Sequence, residues 1–154
     1  MPTPGLIHTR DAATIYFFGT RIRILVSGAQ TGGAFCVLEV RSPAGNATPP
    51  HVHHRETETL HLLEGGITAV VDGRPVDAVV GDTLVLPPNV PHQLITGRRD
   101  TRSLLFCNPA GFDDFVRAVG TDTPAAPHPE GPDPAVMARV IAMAAEFGID
   151  IQTG

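Results

Sequence analysis

The sequence predicts an all-β core followed by a short helical appendage, and three observations carry that reading. Between Thr14 and Asn108, short β-branched and apolar runs recur at regular spacing, each closed by Gly, Pro, Asn or Asp, as in a β-sandwich or barrel. Asp72-Gly73, within VVDGRPV, is a strong hairpin signal, because glycine accepts the positive φ of a tight primed turn. After Asn108 the apolar spacing changes from alternation to helical periodicity. The 154 residues suit one domain with a sizeable core. The expected boundaries are an N-terminal extension over 1–13, a β-barrel over 14–108 and a helical appendage over 109–154.

In chain order the strand candidates are TIYFF (14–18), RIRILV (21–26), AFCVLEV (34–40), TLHLLE (59–64), ITAVV (67–71), RPVDAVV (74–80), DTLVLP (82–87), HQLIT (92–96) and RSLLFC (102–107). The first two read as an extra edge strand region, a hazard for association unless it is covered or paired. Val70 to Val80 reads as a hairpin about Asp72-Gly73. GFDDFVRAV then places Phe112, Phe115, Val116 and Val119 at helical spacing, and DPAVMARVIAMAAEFG repeats the pattern with Val136, Val140, Met143 and Phe147. Asp133 suits an N-cap with Pro134 at the first helical position, and Gly148 suits the helix end. Both apolar stripes are expected to pack on the barrel or on a second copy of the chain. The intervening TDTPAAPHPEGPDP reads as an extended connector.

The net charge is −5, and no group of Lys and Arg is denser than Arg98, Arg99 and Arg102. That leaves no footprint for nucleic acid or an anionic membrane, so a small molecule is the expected partner. Cys36 and Cys107 lie in apolar runs and read as buried thiols of a reducing compartment. The opening MPTPGLIHTRDAAT has no leader character, and no run approaches transmembrane length, so a cytoplasmic location is expected.

The chemistry is concentrated in PPHVHHRETETLHLLEGG (49–66). On an extended strand His51 and His53 point to one face, away from Val52. Along ETLHLLE, Glu58 shares a face with Leu60 and Leu62, whereas His61 points the other way. A carboxylate facing an apolar interior needs a cation or strong hydrogen-bond donors. A divalent metal shared with His51 and His53 meets that need, and His92, opening the strand after GDTLVLPPNVP, is the natural third imidazole.

These residues carry a family resemblance. Gly45, His51, His53, Glu58 and Gly65 match the first cupin motif, G-x5-H-x-H-x4-E-x6-G, in full. Gly81, Pro87 and His92 match the second, with Asn89 in place of its usual Gly and Thr96 in place of its usual Asn. Asn tolerates a left-handed turn, so the first change is mild. The chain thus resembles the cupin superfamily, and over roughly residues 35–150 the quercetin 2,3-dioxygenase-like bacterial cupins with one such domain. The resemblance implies a small jelly-roll β-barrel in which His51, His53, Glu58 and His92 hold one divalent transition metal, with Glu58 also a candidate base. Three imidazoles and one carboxylate suit Mn, Fe, Co, Ni, Cu or Zn.

His54 falls out of phase with the ligand pair and reads as a rim residue able to bond a neighbour. His61 reads as a packing or interface residue, and Glu56 and Glu64 as loop and turn carboxylates. Glu39 shares a face with Phe35 and Val37. If that face is interior, Glu39 is a partner of the metal site or an acid/base; otherwise it lies at the barrel edge. Leu60, Leu62, Val85, Leu94 and Phe106 are the expected apolar lining of a pocket for a flat organic molecule. The leading function is a metal-dependent dioxygenase that presents a bound enolate or catecholate to dioxygen. The alternatives are a non-oxidative cyclase or isomerase acting on enolisable substrates, or a cupin that only binds its ligand. A homodimer is expected.

Overall fold

The computed structural model describes residues 5–124 and 133–152. Eleven strands occur among them: β1 (Thr14–Phe17), β2 (Thr20–Val26), β3 (Cys36–Ser42), β4 (His51–His53), β5 (Thr57–Glu64), β6 (Gly66–Val71), β7 (Arg74–Val79), β8 (Thr83–Leu86), β9 (His92–Thr96), β10 (Thr101–Asn108) and β11 (Ile149–Ile151). Two helices, α1 (Phe112–Val119) and α2 (Pro134–Glu146), stand between β10 and β11. Each of the nine runs read from the sequence forms a strand. Residues 125–132 of the expected connector lie outside the described residues.

The strands form two antiparallel sheets, ordered β1-β2-β3-β10-β5-β8 and β11-β4-β9-β6-β7. The inner faces meet in one apolar core that includes Leu38, Leu60, Leu62 and Leu105 from the first sheet and Ile67 and Ala78 from the second. This is the jelly-roll arrangement that the family resemblance implies. Asp72 (φ 48°) and Gly73 (φ 74°) are both left-handed, and Val71 pairs with Arg74, so the hairpin is of the primed type. Gly65 (φ 78°) turns β5 into β6 where an added Cβ would lie 2.5 Å from the Asp100 carbonyl oxygen, so no side chain fits there. β1 is an edge strand as expected, but Tyr16 and Thr121 exchange both backbone hydrogen bonds, so the chain partly covers its own edge.

Two expectations need correction. The segment after Asn108 is not wholly helical. α2 starts with the Asp133 carboxylate accepting from Ala135 N–H, ends at left-handed Gly148, and leads into β11, which pairs with β4. IDI alternates for only three residues, too short a run to read as a strand. Val85 and Phe106 do not line the interior, being 56% and 39% exposed. Both are linked in register to Thr59, which points away from Glu58, and cross-strand partners share a face. β10 is apolar on both faces, with Leu104 and Phe106 opposite Leu105 and Cys107, so its alternation alone does not show which face is interior.

Candidate metal centre

β4 is three residues long because Pro49 and Pro50 precede it and a bend at His54 follows it. Its alternation turns His51 and His53 toward the interior, while β11 on one side and β9 on the other hold it in place. His51 pairs directly with His92 at the start of β9. Glu58 enters from β5 in the opposite sheet, facing inward in phase with Leu60 and Leu62. Asn89, which stands in the usual glycine position of the second motif, is left-handed (φ 66°), and its N–H donates to the His53 carbonyl at 2.7 Å. The Pro-rich turn is thereby tied to the ligand strand.

The four side chains expected from the sequence converge. One donor atom from each of His51, His53, Glu58 and His92 can be chosen so that all lie within 4.8 Å of one another. Metal bonds of about 2.0–2.2 Å place ligand atoms roughly 3–4.4 Å apart, so a small contraction closes such a cluster on one ion. The electrostatics fit as well. His53 Nε2, His92 Nε2 and Glu58 Oε2 are buried without a hydrogen-bond partner. Glu58 Oε2 does lie 2.8 Å from His92 Nε2 and 3.3 Å from His53 Nε2, yet these contacts lack hydrogen-bond geometry. Polar atoms crowded together and unbonded in an apolar interior are costly unless a cation sits among them.

Burial pulls the His51 pKa down to about 4 against the pull of Glu58, which leaves a neutral imidazole at neutral pH. Burial also opposes the charged form of His53, but Glu58 and Glu56 outweigh it and raise its pKa. For Glu58, burial favours the neutral acid, yet His53, His92 and His51 together hold the carboxyl at about 2. The centre is therefore anionic at its carboxylate and ready for a cation.

The second nitrogen of two of the three imidazoles is held by a hydrogen bond. His51 Nδ1 lies 2.9 Å from the Pro49 carbonyl, and His92 Nδ1 lies 2.9 Å from the Val90 carbonyl. Each Nδ1–H donates to its carbonyl, which leaves the Nε2 lone pair for a metal. His53 Nδ1 instead faces Glu56 Oε1 at 3.7 Å. Glu56 is in a loop, as expected from the sequence, but it is only 2% exposed. It lies in the bend between β4 and β5, where no periodicity reports burial. The one sequence signal for it was its position, three residues after a ligand histidine.

The remaining candidates lie elsewhere. Glu39 is on the outer face of the six-stranded sheet, 3.5 Å from both Arg23 and Arg102. His61, also outward, contacts the Thr83 hydroxyl at 2.9 Å. His54 is on the rim, its Nδ1 2.7 Å from Asn89 Oδ1 and its Nε2 2.8 Å from Asp150 Oδ2. From α1, Phe112 brings its ring centroid to 5.4 Å from that of His53. The cavity beside the ligands, about 120 Å³, is lined largely by apolar groups including Leu60, Leu62, Leu94, Phe112 and Phe115. That is roughly ten times the space one buried water needs. Cys36 and Cys107 are free, buried, and paired across β3 and β10.

Comparison with known proteins agrees with this architecture. Residues 38–105 match the model of the cupin domain. Over 98 residues the chain is 32% identical to a quercetin 2,3-dioxygenase of Bacillus subtilis, an alignment covering 64% of this chain and 29% of that protein. The chain thus spans less than a third of that relative's length. Among solved structures, KdgF from Halomonas sp. superposes with a TM-score of 0.64 at 17% identity, covering 73% of this chain and 99% of that one. The polyketide cyclase RemF from Streptomyces resistomycificus superposes at 0.60 with 24% identity, covering 69% and 80%. These two likenesses speak to the fold alone. Two facing sheets in this order, with a cupin-domain match running from β3 into β10, show that residues 38–105 form a cupin domain.

Proposed function

We propose that the chain is a metal-dependent enzyme that acts on a small, flat or enolisable organic molecule, most specifically as a dioxygenase of the quercetin 2,3-dioxygenase type. The carrying observation is the convergence of three inward imidazoles and one buried carboxylate beside an apolar cavity, with His53 Nε2, His92 Nε2 and Glu58 Oε2 left without a protein hydrogen-bond partner. His51, His53, Glu58 and His92 would hold one divalent transition metal, and imidazole with carboxylate suits Mn, Fe, Co, Ni, Cu or Zn. Such a cation, when bound, supplies Lewis acidity that makes an adjacent substrate hydroxyl or enol more acidic.

Glu58 lines the cavity, and we assign its carboxylate as the acceptor of that proton. Phe112, Leu60 and Leu94 exclude water around the reacting atoms and favour a flat apolar guest. The identity to the Bacillus subtilis dioxygenase supports oxygen as co-substrate. The test is oxygen uptake by metal-loaded protein given a flavonol. Uptake that is lost in Glu58→Gln supports the reading, and no uptake with any flavonol or enediol overturns it.

Glu58 also gives a specific reason to keep a second reading, since a base beside a Lewis acid enolises a substrate without any oxidant. Turnover that survives strict exclusion of oxygen selects a cyclase or isomerase, and ligand capture with no turnover selects a binding cupin. We further propose a homodimer, supported by Val85 and Phe106 exposed on the outer face of the six-stranded sheet, with Phe35 exposed just before β3. The free, buried Cys36 and Cys107 support a cytoplasmic location.

A further inference from the structure

Behind the ligands, the inward side chains of the barrel change character in layers. Cross-strand pairing sets Cys36, Cys107 and Glu58 in one row, and two residues further along come Leu38, Leu105 and Leu60. The next row is Val40, Ser103 and Leu62, and beyond it Ser42 pairs with Thr101. In the facing sheet β9 follows the same order, with Leu94 and Thr96 lining the cavity beyond His92, which shares their face of the strand. Both sheets therefore run from polar ligands, through an apolar layer, to hydroxyls.

Thr96, Thr101 and Ser103 are 6%, 6% and 4% exposed, and they line the same cavity as His51, His53 and Glu58. Thr20, nearby on β2, donates its hydroxyl to the Phe17 carbonyl. Among the described residues, no protein hydrogen bond engages the hydroxyls of Ser42, Thr96, Thr101 or Ser103. A cluster of buried hydroxyls facing an otherwise apolar cavity is poorly explained by packing, because Val or Ala would fill the same space without desolvating a polar group.

We propose that Thr96, Thr101 and Ser103 are a second recognition point for the substrate. The site then takes an elongated, mainly apolar molecule with metal-binding oxygens at one end and a hydrogen-bonding oxygen at the other. Four residues of β9 separate His92 from Thr96, a span of roughly 13 Å at strand rise, which fits a body of several linked rings. This rests on the metal-site reading above. The hydroxyls set which substrates are held and in which direction, and they touch none of the reacting atoms.

The probes are 3-hydroxyflavone and 3,4′-dihydroxyflavone, which share the chelating hydroxy-ketone and differ by one hydroxyl on the far ring. Each is titrated without oxygen into metal-loaded protein. The wild type is expected to bind the dihydroxy compound about tenfold more tightly, as one neutral hydrogen bond allows. The triple variant T96V/T101V/S103A is expected to bind both alike, with its metal content unchanged, and Thr96→Ser is expected to keep the preference. Equal binding of both flavones by the wild type, or a preference that survives in the triple variant, overturns the proposal and leaves the metal site standing. Failure of either flavone to bind protein that retains its metal overturns the proposal together with the flavonol reading. Protein that retains no metal overturns the metal reading and, with it, this proposal.

Discussion

A second nitrogen that is held steadies a metal-binding histidine, and the three imidazoles here differ in this respect. His51 and His92 lean on backbone carbonyls, which no side-chain substitution removes, but His53 Nδ1 has no hydrogen bond, and the Glu56 carboxylate lies beside it at 3.7 Å. Replacing Glu56 by Gln exchanges an anionic acceptor for a neutral amide. Metal affinity is expected to fall about 10–100-fold, the usual range for such outer partners, with the fold retained. Competition against a coloured chelator measures the affinity, and the visible spectrum of the cobalt form reports whether the ligand field changes. Glu56→Asp should recover part of the loss, and a Gln variant with unaltered affinity would remove Glu56 from the site. The four candidate ligands were legible in the sequence because strand parity and motif spacing both report direction. Glu56 was not, since a bend has no period from which burial can be read.

Among the elements, β11 matters most, because it makes the ligand strand β4 an interior strand of its sheet. His54 joins these elements, its ring bridging Asn89 beside β9 and Asp150 on β11. The bonds to Asn89 and Asp150 raise the His54 pKa above its ordinary value near 6.5. A raised folded-state pKa contributes stability that is fully present below the unfolded value and is lost as pH rises through the folded one. Amides of Ile149 and Ile151, corrected for intrinsic exchange, should therefore be better protected from hydrogen exchange at about pH 6 than at about pH 9. His54→Ala should abolish that difference, and an unchanged pH dependence in the variant would assign it to another group. Sequence reading found His54 as a rim residue able to bond a neighbour. It did not find β11, because the pairing of three residues with a strand nearly 100 positions earlier is a property of the assembled sheet.

For the molecule as a whole, the division into inner and outer faces decides where substitutions matter. Leu38 is fully buried between the sheets, so Leu38→Ala should cost about 2–5 kcal/mol in chemical denaturation. Val79→Ala, 61% exposed on β7 and away from the proposed dimer surface, should fall within about 0.5 kcal/mol of wild type. If the Val79 change were the costlier, the assignment of buried and open faces would be reversed. Fold class, hairpin and helices were legible because alternation, turn chemistry and periodicity are local. The direction of β8 and β10 was not, since both carry apolar residues on each face and only cross-strand register orients them. The metal centre depends on the same register, because it brings together Glu58 from one sheet and three histidines from the other. Its most direct test is calorimetric titration of chelator-treated protein with Mn, Fe, Co, Ni, Cu and Zn salts. Wild type is expected to take up about one ion per chain, and His92→Ala to lose that binding while keeping its β-rich circular dichroism. A folded wild type that binds none of these ions, or a His92→Ala variant that binds them as tightly as wild type, would contradict the metal centre.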